Sequence, residues 1–220
     1  MIITIDGPAA SGKSSVARLL AQQLGYYYIN SGLLYRALAY LLYKNADHTL
    51  PLTFSERDID ALLKSGRLQY DCDKQANLHI KFNGDDITAQ LKTGPISNLA
   101  SQLSTNPYLR EQLLQFQRQI AAHHDVIVEG RDSGTVVFPH ADIKFFLTAP
   151  LAIRARRWQY DQDQRGNSMS EQEAYEQVRQ RDKRDSERAV APLQIPEGAH
   201  VIDNGDYSIE ETVQLMIEQI

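Results

Sequence analysis

A loop of the form G-x-x-x-x-G-K-[ST] constrains this chain more than any other feature. It is spelled by Gly7, Pro8, Ala9, Ala10, Ser11, Gly12, Lys13 and Ser14. Ile2, Ile3 and Ile5 form a β-branched run just before it, and Val16, Leu19, Leu20 and Leu24 recur at helical spacing just after it. Strand, glycine loop and helix in that order aim a row of backbone N–H groups and the positive end of a helix dipole at one anion. The expected guest is a polyphosphate, with the Lys13 ammonium at its terminal phosphates and the Ser14 hydroxyl on a Mg²⁺ ion. A chance glycine-rich turn would lack the flanking strand and helix.

The 220 residues are 42% hydrophobic, enough for one sizeable core and a small appended unit. A net charge of −5 offers no basic excess to a nucleic-acid partner. No apolar run approaches the length of a membrane span, and the first strand begins at once with no basic leader ahead of it. Cys72 is the single cysteine, so no internal disulfide forms, and a half-buried structural thiol is expected there. These features predict a chain of the reducing cytoplasm, without a membrane segment.

Five short apolar runs, 2–5, 26–29, 126–129, 143–147 and 201–203, alternate with helical patterns. The alternation predicts an α/β fold with a five-stranded parallel sheet flanked by helices. Gly25 stands at the C′ position of the first helix. Asn106 and Pro107 read as N-cap and N1 of a helix carrying Leu109, Leu113, Phe116 and Ile120 on one face. Ser170 with Glu173, and Ser208 with Glu211, read as capping boxes. Between about 67 and 92 the period changes to two. Leu78, Ile80 and Phe82 alternate with polar residues, and Asn83-Gly84 forms a hairpin turn. A small antiparallel sheet is therefore expected as an insertion, after a helix-like stretch at 55–64. It either shapes a second substrate site or is a structural flap.

A phosphate loop alone does not separate kinases from switch GTPases or motor ATPases. No base-reading N-K-x-D motif follows a later strand. Arginines instead recur at strand ends, where the ligand crevice of an open α/β sheet lies. Ser31 and Arg36 follow the second run and open a helix with Leu34, Leu38, Leu41 and Leu42 on its apolar face. Ser31 either donates to an anion or caps that helix. Glu129, Arg131 and Asp132 end the third run. Glu129 or Asp132 organises magnesium waters or a base, or Asp132 simply pairs with Arg131. Arg181, Arg184, Asp185 and Arg188 fall on one face of a later helix, which is either a solvated, self-paired face or a phosphate clamp. Arg154, Arg156 and Arg157 precede the polar stretch 159–168, which reads as a short lid that closes over the phosphates and excludes water.

These motifs resemble the bacterial cytidylate kinases, which are nucleoside monophosphate kinases. The matching segments are I-T-I-D-G-P-A-A-S-G-K-S at 3–14, N-S-G-L-L-Y-R at 30–36, E-G-R-D-S-G-T-V-V-F-P at 129–139 and R-D-K-R-D-S-E-R-A-V-A-P-L at 181–193. The similarity spans nearly the whole chain. It implies a P-loop kinase fold in one domain of residues 1–220. The core would be 1–30, 100–150 and 189–220, the antiparallel NMP-binding subdomain would fall in about 31–99, and the short lid in about 154–188. It implies ATP with Mg²⁺ as donor, CMP or dCMP as acceptor, and a monomer. Gly7 to Ser14, with Ser15, would bind the ATP phosphates, and Arg157 would lie near the adenine. Ser31, Arg36, Arg131 and Arg181 would hold the monophosphate. Ser101, Arg110, Asp132 and Arg188 would read the cytosine, and Asp185 the sugar hydroxyl. Lys13, Arg131, Arg181 and Arg184 would serve the transferring phosphoryl group. Two residues depart from the family pattern. Asn30 stands where Asp is usual, and Ser133 where an apolar residue is usual.

The implied chemistry is direct in-line transfer. A monophosphate is already ionised at neutral pH, so positioning and charge neutralisation carry the step. A kinase for another small acceptor, such as UMP, dTMP or shikimate, is the rival within enzymes. An ATP-binding regulatory module is the rival outside them.

Overall fold

The computed structural model describes residues 1–46, 50, 53–63 and 66–220. The chain opens with β1 (Ile2–Asp6), α1 (Lys13–Leu24), β2 (Tyr27–Asn30), α2 (Ser31–Asn45) and α3 (Glu56–Leu63). A small sheet of β3 (Leu68–Cys72), β4 (Leu78–Phe82) and β5 (Asp85–Asp86) follows, then α4 (Gly94–Leu103) and α5 (Pro107–Ala121). The chain returns with β6 (Val126–Gly130), a π-helical turn at Ser133–Val137 and β7 (Ile143–Thr148). It ends with α6 (Leu151–Asp163), α7 (Glu171–Glu187), β8 (His200–Asp203) and α8 (Ile209–Ile217).

The five expected parallel strands lie side by side in the order β2-β6-β1-β7-β8. Ile3, Ile5, Val126, Ile127, Val128, Phe145 and Leu147 are fully buried, as the unbroken apolar strands of a sheet covered on both faces must be. One face packs on α1 and α8 through Val16, Leu20, Val213 and Met216. The other packs on α2, α4 and α5 through Leu34, Leu38, Leu99, Leu109 and Leu113. The inserted sheet is antiparallel, in the order β3-β4-β5, and Asn83 and Gly84 take φ values of 55° and 91° at its second turn. Both capping boxes and the Asn106 cap are present. Cys72 is free and half-buried, and burial pushes its thiol pKa up. Among the described residues no helix is long and apolar enough to cross a membrane.

Strand ends differ from the expected ranges by one residue throughout, and the helix and lid boundaries shift as well. Tyr26 belongs to the helix end rather than to β2. Its N–H donates to Ala21 O at 3.0 Å beyond the left-handed Gly25, so the C-terminal turn absorbs one residue of the apolar run. Positions 159–163 of the expected lid segment are the last turn of α6, because the helix runs to Asp163. The α3 helix holds Glu56–Leu63, and Lys64, the end of the expected stretch, lies outside the described residues.

Candidate active site

The C-terminal ends of β1, β2 and β6 open into a cavity of about 600 Å³. Gly7 leaves β1 with φ +152°, and a Cβ there would sit 2.0 Å from Leu147 O, so only glycine lets the loop pass β7. Ala10 takes φ 56° and Gly12 φ 89°, which turns the loop backbone toward the helix start. Ser15 and Val16 N–H both donate to Gly12 O at 3.1 Å, and α1 begins. Ala10, Ser11, Gly12, Lys13, Ser14 and Ser15 line the cavity. Gly7, Pro8 and Ala9 lie behind that lining.

The Lys13 ammonium is folded onto its own loop. It donates to Pro8 O at 2.6 Å and Ser11 Oγ at 3.0 Å, and the residue is 5% exposed. Burial first, and the Arg131 guanidinium next, hold its pKa well below the usual lysine value. A carbonyl and a hydroxyl are poor compensation for a buried cation. An anion arriving at the loop would relieve that penalty.

The same imbalance fills the cavity. Its basic side chains are Lys13, Arg18, Arg36, Lys92, Arg131, Arg165, Arg181 and Arg188, against the carboxylates of Glu129, Asp132, Asp161 and Asp185. This concentration of positive charge sits in a chain whose net charge is −5. Burial, then the neighbouring Arg131, lowers Arg181 to about 10, and burial also lowers Arg36. Guanidiniums crowded in this way favour a multiply charged anion.

Each strand end places its own groups. Asn30, not Ser31, caps α2, its Oδ1 accepting from Leu33 N at 2.8 Å. Ser31 is the first residue of α2, and its hydroxyl donates to Glu129 O at 2.8 Å. Arg36 lies further along α2 and lines the cavity. Asn30 Nδ2 donates to Glu129 Oε1, as does Tyr28 OH at 2.6 Å. An aspartate at position 30 would press a second carboxylate against Glu129, and the amide avoids that repulsion.

Arg131 and Asp132 do not pair with each other, contrary to one expectation. Adjacent side chains leaving a strand point to opposite sides. Arg131 Nε donates to Asp185 Oδ2 at 2.8 Å, whereas Asp132 accepts from Arg110 and, at 3.2 Å, from Arg188. Side-chain exposures of 8% and 10% make this a buried triad. Arg110 stands behind the lining and fixes Asp132, while Ser101, Asp132, Arg188, Arg131, Arg181 and Asp185 line the cavity itself. Arg188 is the C-cap of α7 and not part of its helical face. Arg184 is exposed and outside the lining.

Asp6 supports this loop from below. It is fully buried and accepts from Ser133 N at 2.8 Å and Gly134 N at 2.6 Å. Desolvation raises its pKa to about 6 from 3.8, against the pull of those two N–H groups. A value raised by folding means that folding takes up a proton between about 3.8 and about 6, so the ionised Asp6 costs stability above that interval. The Tm of Asp6→Asn minus that of wild type should therefore rise as pH climbs through this window. A difference that stays flat in thermal melts would overturn the assignment. Ser133 is 1% exposed and its hydroxyl has no hydrogen-bond partner. That position is tightly packed: a Cβ on Gly130 would lie 2.5 Å from Ser133 Oγ.

The lid-flanking arginines do not point into the cavity. Arg154 is buried and donates to Ala149 O at 2.8 Å, Ala9 O at 3.0 Å and Asp182. Arg156 pairs with Glu171 at the surface, 3.1 Å away. Arg157 holds Asn204 through its Oδ1 at 3.0 Å and its O at 2.8 Å, and Asn204 Nδ2 in turn donates to Ser11 O at 3.0 Å. The α6 side of the cavity is made by Trp158, Asp161 and Arg165 instead. These were not expected from the sequence: Trp158 and Asp161 share one face of α6 at i, i+3 spacing, and Arg165 follows in the turn beyond the helix. Ala76, Asn77 and Leu78 of the inserted sheet also line the cavity, and Arg18 NH1 reaches Asn77 Oδ1 at 3.3 Å. That proximity is tertiary and has no local signature.

A parallel sheet with a phosphate loop after its central strand, and arginines converging at the neighbouring strand ends, defines a P-loop phosphotransferase. The sequence profile of the cytidylate kinase family matches residues 3–220. The cytidylate kinase of Thermotoga maritima is 37% identical over 218 residues, 99% of this chain and 96% of that protein. That of Stutzerimonas stutzeri is 38% identical over 220 residues, covering 100% of this chain and 94% of its own. An uncharacterised protein from Eubacterium ventriosum has a solved structure with the same fold, at a TM-score of 0.56, 13% identity and coverage of 100% and 98%. The chain belongs to the cytidylate kinase family.

Proposed function

We propose that the protein transfers the γ-phosphoryl group of ATP to CMP or dCMP, giving ADP and CDP or dCDP. The observation that carries this reading is a single cavity in which the phosphate loop faces Ser31, Arg36, Arg131 and Arg181 from the adjacent strands and helices. Its volume of about 600 Å³ lies within the range of small-molecule sites. Residues Ala10–Ser15 cradle the triphosphate, with Gly7, Pro8 and Ala9 setting the loop's path. Arg157 borders the loop near Gly12 on the adenine side. Arg36, Arg131 and Arg181 neutralise and orient the acceptor phosphate, with Ser31 at the start of α2 beside them. Ser101, Asp132 and Arg188 face the base, with Arg110 fixing Asp132, and Asp185 holds both Arg131 and the sugar hydroxyl. Arg184 stands outside the lining and would reach the phosphates only on movement of α7.

In-line attack requires the acceptor oxygen and the γ-phosphorus to meet between Lys13 and the arginines. No general base is required, because the attacking phosphate is already ionised. The residues fit Mg²⁺ carried in by the triphosphate. Among the described residues no group of three or more His, Cys, Asp or Glu forms a protein cage, and Mg²⁺ characteristically takes few protein oxygens and several phosphates or waters. Ser14, exposed at the cavity edge, would supply one of those oxygens, with the Glu129 carboxylate nearby in the same lining. When bound, the ion neutralises the β- and γ-phosphate charge.

The same reading divides the chain into a core (1–30, 100–150 and 189–220), an acceptor region at about 31–99 and a lid at about 154–188. The family resemblance makes the protein a monomer on this reading. We place it in the cytoplasm, where both nucleotides are held. Release of ADP from ATP and Mg²⁺ should be stimulated by CMP and dCMP well above UMP, dTMP or shikimate. Equal stimulation by another acceptor would reassign the substrate, and ATP binding with no transfer to any acceptor would leave a regulatory module.

A further inference from the structure

Asp182 and Arg154 lie outside the cavity lining, yet they hold both backbone polar groups of one phosphate-loop residue. Ala9 N–H donates to Asp182 Oδ1 at 2.8 Å, and Ala9 O accepts from Arg154 NH1 at 3.0 Å. The two side chains pair with each other, and Arg154 Nε is anchored on Ala149 O at 2.8 Å, just past the end of β7. Their side-chain exposures are 10% for Arg154 and 21% for Asp182. An ion pair screened to this degree, with three further hydrogen bonds, is a tight joint and not a surface contact.

The joint connects the phosphate loop to α7. On one side, Ala9 is followed directly by Ala10 and the N–H groups that face a triphosphate. On the other, Asp182 is the neighbour of Arg181 on α7, and Asp185, one turn on, holds Arg131. Arg181 also lies over the Trp158 ring, with its guanidinium carbon 5.9 Å from the ring centre. A rigid helix that grips the loop through Asp182 must carry Arg181 with it.

We propose that Asp182, with Arg154, is a positioning pair that couples occupancy of the phosphate loop to the placement of Arg181 over the acceptor phosphate. The proposal rests on the phosphotransfer reading for the meaning of Arg181. The joint itself is independent of which acceptor is used. Asp182→Asn keeps the side-chain shape but turns one carboxylate oxygen into an N–H₂ group facing a donor.

Trp158 is the only tryptophan, so its emission reports on this corner of the lid without labelling. The test uses full-length wild type, Asp182→Asn and, as a matched loss of one α6–α7 ion pair, Glu171→Gln. Each is titrated with ATP and Mg²⁺ alone while Trp158 emission is followed, and then assayed with CMP. Wild type and Glu171→Gln should show the same saturable emission change. Asp182→Asn should bind ATP within about threefold of wild type, lose most of the emission change, and lose about tenfold in kcat. An unchanged emission response in Asp182→Asn overturns the proposal. So does a parallel loss of ATP affinity and thermal stability, which would mark a merely structural bond. If wild type transfers nothing to CMP, the phosphotransfer reading fails, while the emission arm, which contains no acceptor, still decides the coupling.

Discussion

Lys13→Ala lowers kcat for CMP phosphorylation by roughly 10²–10⁴-fold, equivalent to about 3–5 kcal/mol of transition-state stabilisation. The protein meanwhile melts at nearly the wild-type temperature. The two halves of this result have separate causes. Lys13 is the loop's only ammonium, and the charge spreading over the γ-phosphoryl oxygens in flight has no substitute donor at that point. In the free protein the same ammonium is buried against one carbonyl and one hydroxyl, with its pKa pushed well down by that burial. Its removal therefore deletes a desolvated charge that contributes little to folding. Steady-state kinetics beside a thermal melt decide the matter. Near-normal turnover, or collapse of the fold, would each refute the assignment.

The opposite pattern holds for Asp132→Ala. Arg110 and Arg188 both lean on this carboxylate, and none of the three side chains is more than 10% exposed. Taking away the carboxylate with which both buried guanidiniums pair leaves uncompensated charge. The expected cost is about 3–5 kcal/mol. For a chain of this length that is a fall in Tm of roughly 6–20 °C. Removing Arg110 as well, as Arg110→Leu with Asp132→Ala, should restore part of the loss, because one stranded cation goes with it. CMP should rescue Asp132→Ala less than ATP does, if the damage lies on the acceptor side as proposed. A Tm within about 2 °C of wild type would show that water, not Asp132, satisfies the two arginines.

The elements that the sequence announces are those governed by local rules. The glycine loop, the five apolar strands, the Asn83-Gly84 turn and three helix caps all depend on residues a few positions apart. Pairings across the molecule have no such signature. Arg131 sits beside Asp132 in the chain but bonds Asp185, and Asp132 reaches Arg110 and Arg188. Arg154 looks like a lid arginine by position, and only the packing of α6 against the loop shows it to be an anchor. Trp158 and Asp161 share a helix face that the sequence does declare, but nothing local says that this face, with Arg165 in the turn after it, lines the cavity. Asn30 was legible as a departure, and its purpose became visible only with Glu129 beside it.

The order β2-β6-β1-β7-β8 also governs how the chain comes to be folded. Within the parallel sheet β1 pairs with β6 and β7, and β2 with β6, so the first two strands are not ladder neighbours. During synthesis they must wait for residue 130 to leave the ribosome, about 100 residues after β2 is complete, or roughly 5–20 s at ordinary elongation rates. Until then these two apolar segments have no sheet partner to pair with. The first half of this molecule is thus committed to delayed assembly, and the window in which it invites a chaperone, or a wrong partner strand, is written into the sheet's connectivity.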